Sequence, residues 1–178
     1  MPSRKYQFAW DLLGDLSLGR PNLGPSMRVE VYRLMQFTLR AVLEEALGTE
    51  ATDDLFRKAG RLAGEQFFRH VIRDAPDLPG FIRVLQETLP AQGIGVLRVE
   101  EENLAAGRMV LTVSEDLDCS GLPEQGDQVC IYDEGFLEGL LGAFTGKRFR
   151  VREIDCWCTG DRTCRFLATA LPFGEAAT

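Results

Sequence analysis

The stretch Glu153-Ile154-Asp155-Cys156-Trp157-Cys158-Thr159-Gly160-Asp161-Arg162-Thr163-Cys164-Arg165-Phe166 carries three of the chain's five cysteines within nine residues. Thr159-Gly160-Asp161-Arg162 has the composition of a turn, and the flanking segments 148–154 and 162–171 read as strands, so the whole is a β-hairpin. Cys156 and Cys164 stand at equal distances from Gly160 and face each other across the hairpin, where their sulfurs can converge on one point. The opening residues show no apolar export signal. The thiols are therefore expected to be reduced, and their spacing reads as metal-binding before it reads as a disulfide framework. Zinc is the first choice, since it accepts thiolate and carboxylate alike and brings no redox chemistry. Spacing leaves the remaining ligands open. Cys158 shares the strand parity of Cys156, whereas Glu153 points to the opposite face of a regular strand. Cys130, at the start of a helical segment, is a further candidate, and Cys119, in a polar loop, a lesser one. The competing reading is that the cysteines are simply small buried apolar residues.

Upstream of the hairpin the chain is mainly helical. Residues 1–25 mix Tyr6, Phe8 and Trp10 with Gly19-Arg20-Pro21-Asn22-Leu23-Gly24-Pro25 and read as an extended arm and loop. Ser26 is a plausible N-cap for an amphipathic helix that ends near Gly48. A second helix follows Thr49, with Gly60 and Gly64 spaced so that another element can approach closely. The two are expected to form a helical hairpin. A third, shorter helix lies between Pro79 and Pro90. The period then changes to two: 95–100 and 108–114 are strands. Residues 128–146 return to a helix whose Gly135, Gly139 and Gly142 imply close packing rather than propensity. The expected fold is thus α+β, an antiparallel sheet of about four strands packed with helices. Residues 26–172 form one domain behind the arm, and 173–178 are a frayed tail.

Composition narrows the function. A length of 178 residues suits a single compact domain, and 45% hydrophobic with 26% charged residues describes a folded globular protein. With 20 Lys+Arg against 27 Asp+Glu, the net charge of −7 opposes a phosphate backbone, so direct nucleic-acid binding is not expected. No apolar run is long enough to span a bilayer, which with the missing export signal predicts a cytoplasmic protein off the membrane.

Cys130 followed by Gly135-Phe136-Leu137-Glu138-Gly139, then Glu153-x2-Cys156, then Gly160-Asp161-x2-Cys164-x-Phe166, resembles the signature of the V4R (4-vinyl reductase) domain family. The resemblance is concentrated in residues 107–172. It implies a small-molecule-binding domain of the kind found in sensor modules of aromatic-responsive transcriptional activators and in proteins linked to bacteriochlorophyll synthesis. The fold it implies is shared with haem-based nitric oxide sensors and a Golgi trafficking subunit. It further implies a structural zinc held by Cys130, Glu153, Cys156 and Cys164. Glu153 then replaces the parity choice of Cys158, which requires a kink or bulge near Ile154-Asp155. Lys147, Arg148, Arg150, Arg152, Arg162 and Arg165 crowd the same hairpin and are expected to offset the negative charge of such a site.

Catalytic chemistry is not visible. The sole histidine, His70, sits among arginines at a helix end, and no dinucleotide fingerprint, phosphate loop, nucleophile elbow or zinc-protease motif is present. A 4-vinyl reductase activity is therefore not expected. The leading expectation is a binding or sensor module for a hydrophobic, aromatic or hydrocarbon ligand, lined by Met109, Leu111, Phe136, Leu140, Phe144 and Val151. With no output domain in sight, a signal passes to a protein partner, and the helix from Ser26 with its preceding arm is the surface expected to form a homodimer. The alternatives are a scaffold protein like the trafficking relative and an accessory protein of tetrapyrrole metabolism.

Overall fold

A computed structural model describes residues 6–73 and 75–172. The expected frayed tail, 173–178, lies outside the described residues, as do the first five residues of the arm. The chain divides into two compact units, one up to Leu39 and the other from Arg40 onward.

In the first unit the arm is not simply extended. Trp10–Leu13 forms a 3-10 turn and Leu16–Gly19 a one-turn helix, α1. Asp15 caps α1, its Oδ1 accepting the Leu18 N–H at 3.0 Å, a local contact that propensity over the surrounding prolines and glycines does not reveal. Helix α2, Val29–Leu47, begins three residues later than Ser26. None of its residues is buried.

The second unit holds the sheet. At Gly48, φ of 83° turns the chain into α3, Thr49–Phe67, and Arg40 forms ion pairs with Glu44 and Asp53 across that corner. A π-helical turn, Phe68–Ile72, follows α3, and α4 spans Leu78–Ala91 with Asp77 as its N-cap. Strands β1 (Val96–Asn103) and β2 (Arg108–Ser114) form the first hairpin. After helix α5 (Ile131–Thr145), strands β3 (Phe149–Asp155) and β4 (Cys164–Ala170) form the second. The four strands are antiparallel in the order β1-β2-β4-β3, so the fold is α+β as expected. Pairing of β3 with β4 is irregular between Glu153 and Asp155, which places a bulge at the position the family resemblance requires.

Helices α3 and α5 meet backbone to backbone. A Cβ on Gly60 or Gly64 would collide with the carbonyl oxygen of Tyr132 or Phe136, and one on Gly135 or Gly139 with that of Arg57 or Arg61. Two glycines four apart on each helix thus form one seam, and α3 finds its partner in α5. Helix α5 in turn lies against β3, and α4 against β1.

Candidate metal centre and apolar slot

Four elements converge at one end of the sheet. Cys119 comes from the loop after β2, Cys130 is the N-cap of α5, Cys156 follows β3, and Cys164 opens β4. Their sulfurs all lie within 4.8 Å of one another. Cys130 Sγ is 3.8 Å and Cys119 Sγ 3.0 Å from Cys164 Sγ. All four residues are buried. Zinc–sulfur bonds of about 2.3 Å put the corners of a tetrahedron about 3.8 Å apart; the Cys130–Cys164 separation matches that edge, and the Cys119–Cys164 separation is shorter.

Of the four residues expected at the site, Cys130, Cys156 and Cys164 are brought together. Glu153 is buried beside them: its Oε2 accepts the Cys130 N–H at 3.3 Å, and its Oε1 has no hydrogen-bond partner among the described residues. Cys158 is buried but lies outside the set of four, because Trp157–Thr159 curls into a 3-10 turn and strand parity no longer applies. Cys119 joins because Asp116 Oδ1 accepts the N–H groups of Asp118 and Cys119 at 2.8 and 3.0 Å, folding the loop inward. Only an acidic residue three positions before a cysteine could have flagged this in the sequence.

The electrostatics are those of a site short of positive charge. Burial, then the neighbouring Cys164 and Cys156, pushes the Glu153 carboxyl up to about 10. Burial and then Asp118 push Asp116 up to about 7. Burial also holds Asp133 well above the usual carboxylate range. Hydrogen bonds from Cys119, Cys130 and Cys164 drive the Cys156 thiol strongly down, and contact with Cys119 and then Cys156 drives Cys130 up. A divalent cation at this point would favour the thiolate form of the cysteines that bind it. Arg165 pairs with Glu100 and Asp155, Arg150 approaches Glu138 at 3.8 Å, and Arg162 lies over the Trp157 ring.

A second charged cluster ties the site to the helices. Arg57 pairs with Glu134 and Arg61 with Glu138, while Glu134 Oε1 accepts the Glu153 N–H at 2.7 Å and Glu138 Oε1 the Val151 N–H at 3.1 Å. These carboxylates satisfy the outer edge of β3, which no strand covers. Burial raises the Glu134 carboxyl despite Arg57. Glu134 and Glu138 were not singled out from the sequence, although acidic residues four apart on α5 match arginines four apart on α3.

The apolar core between α4, β1, β2 and α5 contains a slot of about 10 Å³. Of the residues named from the sequence as a ligand lining, Met109, Leu111 and Leu140 border it, together with Phe81, Leu85 and Leu137. Phe136 packs on Phe67, with centroids 5.4 Å apart, and Phe144 stacks on Phe81 at 4.3 Å. Val151 is buried on β3. A larger concavity of about 480 Å³ opens beside Gly107 and Ala170, at the other end of β4 from the thiols, and has no lining group of the chemistry described above. Among the described residues, no helix is long and apolar enough to cross a membrane.

Comparison with known proteins places these features. Two uncharacterized proteins of Methanocaldococcus jannaschii are similar. One is 29% identical over 65 residues, 36% of this chain and 40% of the relative; the other is 28% identical over 106 residues, 58% and 59%. The chain therefore spans about two fifths and three fifths of these curated relatives. Among solved structures, the phenol-responsive sensory domain of the transcription activator PoxR with phenol has a TM-score of 0.60 at 20% identity, over 81% of this chain and 75% of that one. A trafficking protein particle complex subunit 3 from Naegleria fowleri, covalently bound to palmitic acid, has 0.61 at 12%, over 83% and 98%. A vinyl-4-reductase family protein of Methanocaldococcus jannaschii has 0.58 at 12%, over 84% and 85%. These likenesses show a shared fold. The family model of the V4R domain matches residues 109–170, the segment from β2 to β4 that carries all four clustered thiols.

Proposed function

We propose that this chain is a V4R-family binding domain in which a structural zinc pins the second hairpin to α5, and that a small apolar molecule is taken up in the slot between α4, the sheet and α5. The observation that carries the reading is the coincidence of the two features on α5. Cys130 caps its N-terminus at the thiols, and Leu137, Leu140 and Leu141 on the same helix line the slot. Cys130, Cys156 and Cys164 hold the metal, with the fourth position falling to Glu153, as the family resemblance implies, or to Cys119. A site with four protein ligands leaves no open position for water or substrate, so the metal serves the fold rather than a reaction.

The slot's lining is wholly apolar, which favours a hydrocarbon chain or ring over a ligand recognised by hydrogen bonds. Phenol and palmitic acid, carried by two of the structural relatives, bracket the size of molecule to test. At about 10 Å³ the slot holds no more than one water, so uptake requires α4 and the Phe81–Phe144 stack to yield. The ligand thereby acts on conformation, and the signal passes to a protein partner. The exposed stripe Val31, Leu34, Met35 and Leu39 on α2 supports a homodimer.

The experiment is calorimetric titration of the zinc-loaded protein with palmitate and with phenol. Saturable uptake of one molecule per chain, lost in Leu140→Trp, supports the binding module. The near-closed slot favours one second reading, a scaffold with a permanently filled core; absence of uptake of either probe would select it.

A further inference from the structure

We propose that Cys119 supplies the fourth metal-binding thiolate, so that the site is a four-cysteine one and the Glu153 carboxyl stands outside it. This rests on the metal reading above and sharpens it. The set of groups within 4.8 Å of one another consists of the sulfurs of Cys119, Cys130, Cys156 and Cys164, and no carboxylate oxygen belongs to it. Cys119 is wholly buried and is the closest of the others to Cys164 for which a contact is resolved, at 3.0 Å.

The loop is built to deliver this side chain. The chain leaves β2 through Glu115 at φ 53°, a left-handed conformation that a residue with a side chain adopts at a cost of about 1 kcal/mol, and which persists only where its surroundings enforce it. Asp116 then folds the next turn by accepting the Cys119 N–H, and Leu117 N–H is tied to the Ile94 carbonyl at 2.9 Å. Beyond Cys119 the loop is lashed to the second hairpin. Trp157 Nε1 donates to the Leu122 carbonyl at 3.0 Å, and the N–H groups of Gln125 and Gly126 both donate to the Cys158 carbonyl. The loop is thus tied before Cys119 to Ile94, at the entry to β1, and after it to the turn that follows Cys156. A fourth thiolate closes the ring of elements, joining the β2–α5 loop to the hairpin.

Glu153 has other work. Its N–H is taken by Glu134 and its Oε2 by the Cys130 N–H, contacts that orient Cys130 without placing the carboxylate among the sulfurs. Its Oε1, buried and unpartnered, is the competing donor, and the two ligand sets differ by one sulfur for one oxygen.

Zinc X-ray absorption on the unmodified protein separates them without any variant. Four sulfurs at about 2.3 Å are expected; three sulfurs with one oxygen at about 2.0–2.2 Å would overturn the assignment while leaving the metal reading intact. Cobalt substitution gives an independent readout. Thiolate-to-cobalt charge-transfer absorbance is expected to fall by about a quarter in Cys119→Ser and to stay unchanged in Glu153→Gln. The opposite pattern, with Cys119→Ser unchanged and Glu153→Gln altered, would overturn the proposal. Failure of the protein to take up either metal would overturn both this assignment and the reading beneath it.

Discussion

The Glu138 carboxylate on α5 accepts the backbone N–H of Val151 on β3 at 3.1 Å while pairing with Arg61 on α3. One side chain thereby joins two helices to the uncovered edge of the sheet. Its side chain is almost wholly buried, so removing it strands Arg61 and leaves a backbone donor unsatisfied. Glu138→Ala is expected to lower stability by about 3–5 kcal/mol, and Glu138→Gln, which keeps an acceptor for Val151, by clearly less. Urea unfolding of the two variants checks the order. Equal losses would show that the acceptor contributes nothing.

The glycine seam between α3 and α5 gives a second contrast. At Gly64 an added methyl meets the Phe136 carbonyl, whereas at Gly142 the nearest atom is the Lys147 carbonyl oxygen at 3.4 Å. Gly64→Ala is expected to force the helices apart and cost at least about 1–3 kcal/mol. Gly142→Ala should be tolerated and can gain up to about 1 kcal/mol in helix propensity. Thermal melts of the pair test this; a neutral Gly64→Ala would mean the seam yields easily.

Much of this was legible in the sequence, and the failures have specific causes. Cys156 and Cys164 meet as their spacing about Gly160 predicts, and Cys130 joins them as the family resemblance implies, because a hairpin and a helix N-terminus are regular frames. The irregular pairing at Ile154 is the bulge that the resemblance requires. Cys119 is not legible in the sequence because an irregular loop brings it in, through side-chain turns that carry no period. Glu134 and Glu138 do not stand out in the sequence because a carboxylate on a helix reads as solvent-facing until its partner helix is known. The arm was expected to be extended, yet Asp15 nucleates a helical turn within it. Phe136 and Phe144 share the period of the slot-lining residues, and their ring partners, Phe67 and Phe81, are set by tertiary packing that the period does not encode.

The slot offers a size-dependent prediction. Phe81 is buried, lines the slot and stacks on Phe144. Phe81→Ala is expected to cost about 3–5 kcal/mol and to leave a cavity that small apolar probes fill. Benzene or a short alkane should therefore raise the melting temperature of Phe81→Ala more than that of the unmodified protein. An equal effect on both would place the binding site elsewhere.

Leu34 and Met35 on α2 are 66% and 61% exposed, within a stripe that includes Val31 and Leu39. If a second copy covers this stripe, Leu34→Glu with Met35→Glu should convert a dimer into a monomer without lowering helix content, because neither side chain is in the core. Analytical ultracentrifugation with circular dichroism reads both quantities. A dimer that survives the substitutions would remove α2 from the interface.

The claim on which the rest depends is a metal at the clustered thiols, and native mass spectrometry of protein purified without added metal tests it most directly. One zinc per chain is predicted, retained in Cys158→Ser, whose sulfur lies outside the cluster, and lost in Cys164→Ser together with several kcal/mol of stability. A metal-free chain that melts at the same temperature with and without a chelator, and is indifferent to Cys164→Ser, would contradict the account.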